Sequence, residues 1–337
     1  MALRIAINGF GRIGRTFLRV LLQEAARSQR IEVIAINLGP MDPAILKITH
    51  KYDTTMRTFS ADVAMVDGHL LVGGHRIKIL ATTDVDKLAW RELDIDWVVD
   101  CTGRFTEPGA ARAHLTAGAK RVLISAPAAG ADCTIIPGVN DAAYRPDCAI
   151  VSLGSCTTNA LMPLLKVLQE HGGIESATVV TIHAYTATQA LLDGGAVSPK
   201  DLRRHRAAPM NIVPSTTGAE KMVGLVLPAL AGKVSAVSVR VPVPDVSFLE
   251  VSWVSPRELV REAVDGWFDA AAASELKPYL TVTREQLVSS DFIGDEHSVV
   301  YDATMTIVAG RLGTVFGWYD NEWGYCCRMR DFLASHA

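Results

Sequence analysis

The sequence has no surplus of either charge: 33 Lys and Arg stand against 36 Asp and Glu, a formal net charge of -3 over 337 residues. Binding a nucleic-acid backbone calls for a clear excess of cations, so nucleic acid is not an expected partner. Cysteine is scarce, with Cys101, Cys133, Cys148, Cys156, Cys326 and Cys327 irregularly spaced and no Cys-x-x-Cys pair among them. That excludes a disulfide scaffold and the common zinc and redox dithiol motifs, and reduced thiols of a cytoplasmic protein are the expectation, with no metal site. Long apolar runs are missing too. The longest uncharged stretch, 148–165, is broken by Ser, Thr, Asn, Gly and Pro, whereas a membrane span needs about 20 mostly apolar residues. The first apolar segment is short and soon followed by Arg12 and Arg15, so no secretory signal and no membrane partner are expected. Low-complexity segments, internal repeats and a Pro- or Ser-rich linker are also lacking.

What is present is a chain of about two domains by the rough 150-residue rule, with 49% hydrophobic residues, enough for a core without staples. The first 155 residues alternate strand and helix. Leu3-Arg4-Ile5-Ala6-Ile7, then a helical stretch over 11–27, then Ile31-Glu32-Val33-Ile34-Ala35-Ile36-Asn37 are followed by short β-branched runs at 97–101, 121–125, 134–136 and 149–152, with a helical pattern over 109–118. Near-continuous apolar strands separated by helices predict a parallel, doubly wound α/β domain. Beyond Cys156, a helix over 160–171 leads to longer alternating strands at 176–184, 233–243, 247–254, 298–308 and 314–319, which predicts an α+β domain with a mixed or antiparallel sheet. Residues 185–218 carry little periodicity and hold Lys200, Arg203, Arg204 and Arg206; loops of that length are usually functional. The division falls near residue 155, into 1–155 and 156–321, and the terminal helix 322–337 is expected to join the first domain.

Asn8-Gly9-Phe10-Gly11-Arg12-Ile13-Gly14 follows the first strand and opens a helix. The glycines allow the tight turn, the approach of a pyrophosphate and close helix packing, and the helix amino end attracts the anion. The second strand of such a domain normally ends in an acidic ribose ligand that repels the 2′-phosphate of NADP. Here it ends Asn37-Leu38-Gly39, so either the ribose is held by Asn37 or backbone and NAD still binds, or NADP is tolerated. Ser155-Cys156-Thr157-Thr158-Asn159 joins an apolar strand to a helical run, placing Cys156 where a helix amino end lowers a thiol pKa; a small buried packing residue is the alternative. His183 ends an apolar strand and is the strongest candidate base for that thiol. The other histidines, among them His50, His69, His75 and His114, stand in charged or loop contexts. Arg240, a lone cation within an apolar strand, suits a phosphate, and Thr216-Thr217-Gly218 offers either phosphate donors or a helix N-cap.

Taken together these residues resemble phosphorylating glyceraldehyde-3-phosphate dehydrogenases, along essentially the whole chain. The likeness is carried by 7–15, Cys101-Thr102-Gly103-Arg104-Phe105-Thr106, 155–159, 182–189, 201–204, 214–219, Arg240-Val241-Pro242 and 318–325. It implies a cytoplasmic homotetramer of glycolysis or gluconeogenesis that converts glyceraldehyde 3-phosphate, NAD or NADP and inorganic phosphate into 1,3-bisphosphoglycerate through a Cys thioester. By the resemblance Cys156 is the nucleophile and His183 its base. Gly9, Phe10, Gly11, Arg12, Ile13, Asn37, Leu38, Thr102, Gly103, Ser125 and Asn321 surround the dinucleotide. Thr186 and Arg240 match one phosphate site; Ser155, Thr157, Thr217 and Gly218 match the other, with Arg203 nearby, and 185–218 resembles an S-shaped loop between subunits. The family's second cysteine is Ala160 here, and its acidic ribose ligand is Leu38. An erythrose-4-phosphate dehydrogenase and a non-catalytic dinucleotide-binding protein are the competing readings.

Overall fold

The structure, a computed structural model, describes residues 2–23, 25–28, 30–194 and 201–336. Lys200 and the 195–199 part of the long loop lie outside the described residues. The chain divides into two compact units: one of 1–137, 141–155 and 326–337, the other of 138–140 and 156–325.

The first unit is built on a nine-stranded sheet of β1 Leu3–Asn8, β2 Ile31–Asn37, β3 Val63–Val66, β4 His69–Val72, β5 His75–Leu80, β6 Trp97–Asp100, β7 Arg121–Ile124, β8 Cys133–Thr134 and β9 Ile150–Ser152, in the order β3-β4-β5-β2-β1-β6-β7-β9-β8. Seven strands run parallel, and β3 and β4 pair antiparallel at one edge. The sheet is therefore mixed rather than purely parallel. The hairpins turn at Asp67-Gly68 and Gly73-Gly74, all four with positive φ, the backbone that two-residue hairpin turns demand. The helices are α1 Arg12–Gln23, α2 Ala25–Ser28, α3 Leu46–Lys51 and α4 Arg112–Thr116. The helical pattern over 11–27 is met by α1 and α2 on either side of residue 24, which lies outside the described residues, and that over 109–118 shrinks to five residues. α1 buries Phe17, Leu18, Val20 and Leu21, each contributing roughly 1.5–3 kcal/mol on leaving water. β1 lies between β2 and β6, the place where strand order reverses and where open α/β sheets bind ligands beyond the strands' carboxyl ends.

In the second unit, α5 Cys156–His171, α6 Ala219–Val226 and α7 Arg261–Ala273 accompany an eight-stranded sheet of β10 Ser176–Ala184, β11 Val213–Ser215, β12 Val234–Val241, β13 Ser247–Val254, β14 Leu280–Thr283, β15 Val299–Asp302, β16 Ile307–Ala309 and β17 Leu312–Tyr319. β10 pairs parallel with β12 and antiparallel with β13, and β13 antiparallel with β17. The expected strand over 298–308 is interrupted because Asp302 Oδ1 accepts from both the backbone N–H and the hydroxyl of Thr304 and turns the chain. The long loop is less irregular than its composition predicts, since it contributes β11 to the sheet beside β12. α5 starts four residues earlier than expected, at Cys156 itself, and continues through Pro163. A final helix, α8 Trp323–Ser335, begins where Asp320 Oδ1 accepts the N–H groups of Glu322 and Trp323, a carboxyl cap that also suits the helix dipole. Residues 326–337 belong to the first unit, where Phe332 meets Trp97 and Tyr144 edge-on and the Cys326 thiol donates to the Ile13 carbonyl. No helix is long and apolar enough to cross a membrane, among the described residues.

Candidate active site

Strand register assembles the second unit's chemistry. His183 on β10 is the direct partner of Arg240 on β12, and Arg240 in turn pairs with Val213 on β11. Because β13 and β17 run antiparallel to their neighbours, Ser247 and Tyr319 are partners at the same end of the sheet. Cys156, the first residue of α5, places Sγ 3.5 Å from His183 Nε2. His183 Nδ1 lies 2.7 Å from the Ala184 carbonyl oxygen, and Arg240 Nη1 lies 2.7 Å from the same ring nitrogen and 3.0 Å from that carbonyl. Nδ1 thus faces both a carbonyl acceptor and a guanidinium, which only donates; in the tautomer whose Nδ1–H goes to the Ala184 carbonyl, with Arg240 donating to that same carbonyl, Nε2 is the acceptor facing the thiol.

Burial, aided by the Arg240 cation, pushes His183 down to about 3. It also pushes the Cys156 thiol up, against the pull of Arg240 and of hydrogen bonds from Thr157. The expectation that the helix start by itself leaves a thiol of lowered pKa is thus corrected: desolvation outweighs the amino-end dipole. Each shift disfavours a lone charge. A proton passing from Sγ to Nε2 makes two opposite charges 3.5 Å apart, which attract by ~5 kcal/mol at an effective dielectric of ~20. The pair is therefore arranged to ionise together.

Tyr319 was not among the residues singled out in the sequence. Its hydroxyl lies 3.0 Å from Thr157 Oγ1 and 2.8 Å from Thr181 Oγ1, and its ring meets His183 edge-on. It ties α5, β10 and β17 together at one oxygen; the polar run after Trp318 was the available signal. Arg240 Nε is buried without a partner among the described residues, an orphaned donor of the kind an anion satisfies. Thr186 bonds Thr188 through its hydroxyl and donates its N–H to Gln189 Oε1. Asn321 Oδ1 accepts from Ser247 Oγ, which fixes the way its amide faces. Gly218 occupies the N-cap of α6 without a side-chain bond, while Thr217 Oγ1 accepts the Ala219 N–H. Arg203 is exposed and lines, with Thr217, Pro214, Glu220 and Val237, an open cavity of about 690 Å³. Arg204 is a strut, bonded to Asp201, Ser215 and the Thr216 carbonyl, and Arg206 pairs with Asp193. Thus the basic cluster is not one anion site.

The first unit holds the glycine turn. Gly9 has φ +93°, and a Cβ there would sit 2.7 Å from Thr102 Cγ2; a Cβ on Gly14 would sit 2.2 Å from the Gly9 carbonyl oxygen, whereas one on Gly11 meets nothing within 4 Å. The first and third glycines are thus required by packing, and the second leaves open space before the amino end of α1. That cradle fits a pyrophosphate. Phe10 is buried against His50, and the Arg12 side chain is engaged by Asp53. Gly103 has φ +67°, and the Ser125 N–H donates to the Asp100 carbonyl. The Asn37 amide is fully committed: Nδ2 donates to Asn8 Oδ1 and the Thr82 carbonyl, and Oδ1 accepts from Gly39 and Thr82 N–H groups. Its side chain therefore has no bond left for a ribose, which leaves only backbone at this strand end. The Leu38 side chain is buried.

His50 and His114 correct the reading of these histidines as standing in charged or loop contexts, since both are fully buried. Burial of the other cysteines raises rather than lowers the thiols of Cys101 and Cys133, the latter to about 12 beside Cys148.

The sequence matches two family profiles: glyceraldehyde 3-phosphate dehydrogenase, NAD binding domain, over residues 3–108, and the C-terminal domain of the same enzyme over 155–321. A glyceraldehyde-3-phosphate dehydrogenase of Kitasatospora aureofaciens is 49% identical over 98% of each chain. One from Chlamydia muridarum is 45% identical, again over 98% of each, and glyceraldehyde-3-phosphate dehydrogenase 2 of Streptomyces avermitilis is 44% identical over 98% of this chain and 97% of its own. With both halves matched and the thiol, imidazole and guanidinium drawn together by strand register, this chain belongs to the glyceraldehyde-3-phosphate dehydrogenase family.

Proposed function

We propose that the chain oxidises glyceraldehyde 3-phosphate to 1,3-bisphosphoglycerate with NAD and inorganic phosphate. Family membership makes it an NAD-dependent oxidoreductase of the α/β class. The observation that carries the site assignment is the contact of Cys156 Sγ with His183 Nε2 beside a buried Arg240 whose Nε has no partner among the described residues. Sγ adds to the aldehyde carbon while its proton passes through His183 to the aldehyde oxygen, giving a thiohemiacetal on Cys156. His183 then withdraws that hydroxyl proton as the carbon is oxidised. When bound, NAD supplies the acceptor for the hydride lost from that carbon. A thioester on Cys156 remains, inorganic phosphate attacks its carbonyl, and Cys156 leaves as a thiolate that recovers the proton. Thr186 and Arg240 hold one phosphate; Ser155, Thr157, Thr217 and Gly218, with Arg203 nearby, serve the other. Gly9, Phe10, Gly11, Arg12, Ile13, Thr102, Gly103, Ser125 and Asn321 serve the dinucleotide.

Initial rates with glyceraldehyde 3-phosphate and erythrose 4-phosphate, each with NAD or NADP and with or without phosphate, test this. Fastest turnover is expected with the triose, NAD and phosphate. Faster turnover of the tetrose assigns the other substrate, and dinucleotide binding without aldehyde-dependent reduction leaves only a binding protein.

The strand end at Leu38 has no carboxylate to repel a 2′-phosphate, and this supports use of NADP beside NAD. Leu38→Asp is expected to move the NADP-to-NAD ratio of kcat/KM toward NAD by about tenfold, one charge repulsion of ~1.4 kcal/mol. An unaltered ratio assigns the choice to other residues.

A homotetramer is supported by the large apolar side chains Leu191, Leu192, Leu202, Met210 and Ile212, all exposed on the long loop, a pattern that marks an interaction surface. Light scattering is expected to give four times the chain mass, and a monomer removes that reading. Six free cysteines accord with a cytoplasmic setting.

A further inference from the structure

Beneath the glycine turn lies a buried polar chain in a region that is otherwise apolar. Asp100, at the end of β6, receives donors on both oxygens. Asn8 Nδ2 donates to Oδ2 at 2.7 Å, and Thr102 gives Oδ1 its N–H at 3.2 Å and its hydroxyl at 2.9 Å. His114 Nε2 stands 3.7 Å from Oδ2. On its other side His114 Nδ1 accepts from Trp90 Nε1 at 3.1 Å. Trp90, Asp100 and His114 are fully buried, among Val98, Ala119 and Ile95.

The indole N–H can only donate, so Nδ1 of His114 carries no hydrogen and Nε2 must carry one. That N–H faces Asp100 Oδ2 at 3.7 Å, an electrostatic contact longer than a hydrogen bond, and stands 3.3 Å from Asn8 Nδ2, the donor that holds the same oxygen. Trp90 thereby fixes the tautomer that Asp100 meets. From Asp100 the chain runs two ways. Thr102, gripped by Oδ1, accepts the Arg104 N–H at its hydroxyl, and its backbone and methyl group occupy the space that a side chain on Gly9 would need. Asn8 passes the chain through Asn37 to Gly39 and Thr82. The segments beyond the carboxyl ends of β1, β2 and β6 are thus tied to one hub that presents no atom to solvent.

We propose that Trp90, His114 and Asp100 form a positioning chain that holds the 101–104 turn against the Gly9 turn and so sets the affinity for NAD without touching it. This rests on the reading that those two turns hold the dinucleotide. The consequence is chemical rather than volumetric: what matters at position 114 is an N–H facing Asp100, more than a filled space.

Two substitutions of the full chain separate these meanings. His114→Gln keeps a donor near the Nε2 position; His114→Asn keeps only an acceptor for Trp90. A buried acceptor or donor left unpaired is destabilising, so the Asn variant is expected to weaken NAD binding about tenfold and the Gln variant by no more than about threefold. KM for NAD follows the same order, while kcat at saturating NAD stays within about twofold. Trp90→Phe, which frees the tautomer from the other end, is expected to fall between them and serves where a His114 variant does not fold. NAD affinity is read by titration and folding by thermal unfolding. Equal losses of affinity in the Gln and Asn variants, or none in either, overturn the positioning chain and leave the NAD site standing. Absence of NAD binding by the unaltered chain overturns the site reading itself, and this inference with it.

Discussion

Cys156→Ser is expected to abolish aldehyde-dependent reduction of NAD while leaving NAD affinity within a few fold. The residue opens α5 with its sulfur 3.5 Å from an imidazole nitrogen positioned to take its proton. A hydroxyl in that place keeps the hydrogen bond but not the chemistry. An alcohol does not ionise near neutrality even beside Arg240, and the ester it forms is a poorer acyl donor to phosphate than a thioester. The glycine turn belongs to the first unit and Cys156 to the second, so the affinity measurement reads a different part of the chain from the rate. Turnover retained by the serine variant removes the thioester route.

The second large effect is expected at His183. His183→Asn leaves a polar side chain beside Arg240 and the Ala184 carbonyl but removes the proton acceptor at Nε2, and a loss of 10²–10⁴ in rate is typical when a positioned base is deleted. The thiol remains, so alkylation by iodoacetamide still goes to Cys156, more slowly than in the unaltered chain because no base assists its ionisation. The two readouts differ in kind: turnover collapses, labelling only slows. Unchanged turnover removes His183 from the mechanism. Because its ring is held at about 3 by burial and by Arg240, lost activity cannot be assigned to loss of a resting imidazolium.

Much of this site was legible in the sequence because strand ends and helix starts advertise themselves. Gly9, Cys156 and His183 each stand at such a junction, and the alternation of 176–184 and 247–254 matches the strands residue for residue. Less legible was whatever depends on neighbours distant along the chain. Tyr319 looked like one aromatic residue in a polar run, yet it bridges residues 157 and 181. His114 read as one of several histidines in charged or loop contexts, whereas Trp90 and Asp100, 24 and 14 positions away by number, stand on either side of it. The β3–β5 hairpins carried a signal, Asp67-Gly68 and Gly73-Gly74, that the search for alternating strand and helix passes over. The sign of the Cys156 shift was beyond local reasoning altogether, because desolvation depends on what surrounds the sulfur.

The segment 326–337 has a consequence in time. Phe332, Leu333, Met329 and the adjacent Cys326 and Cys327 are buried in the unit that also holds 1–137 and 141–155. During synthesis, at about 5–20 residues per second, domains fold as they emerge. Here the unit of 138–140 and 156–325 has all its residues once position 325 has emerged, while the other waits for 326–337 to cover Trp97 and Tyr144. The unit that is begun earlier is finished later.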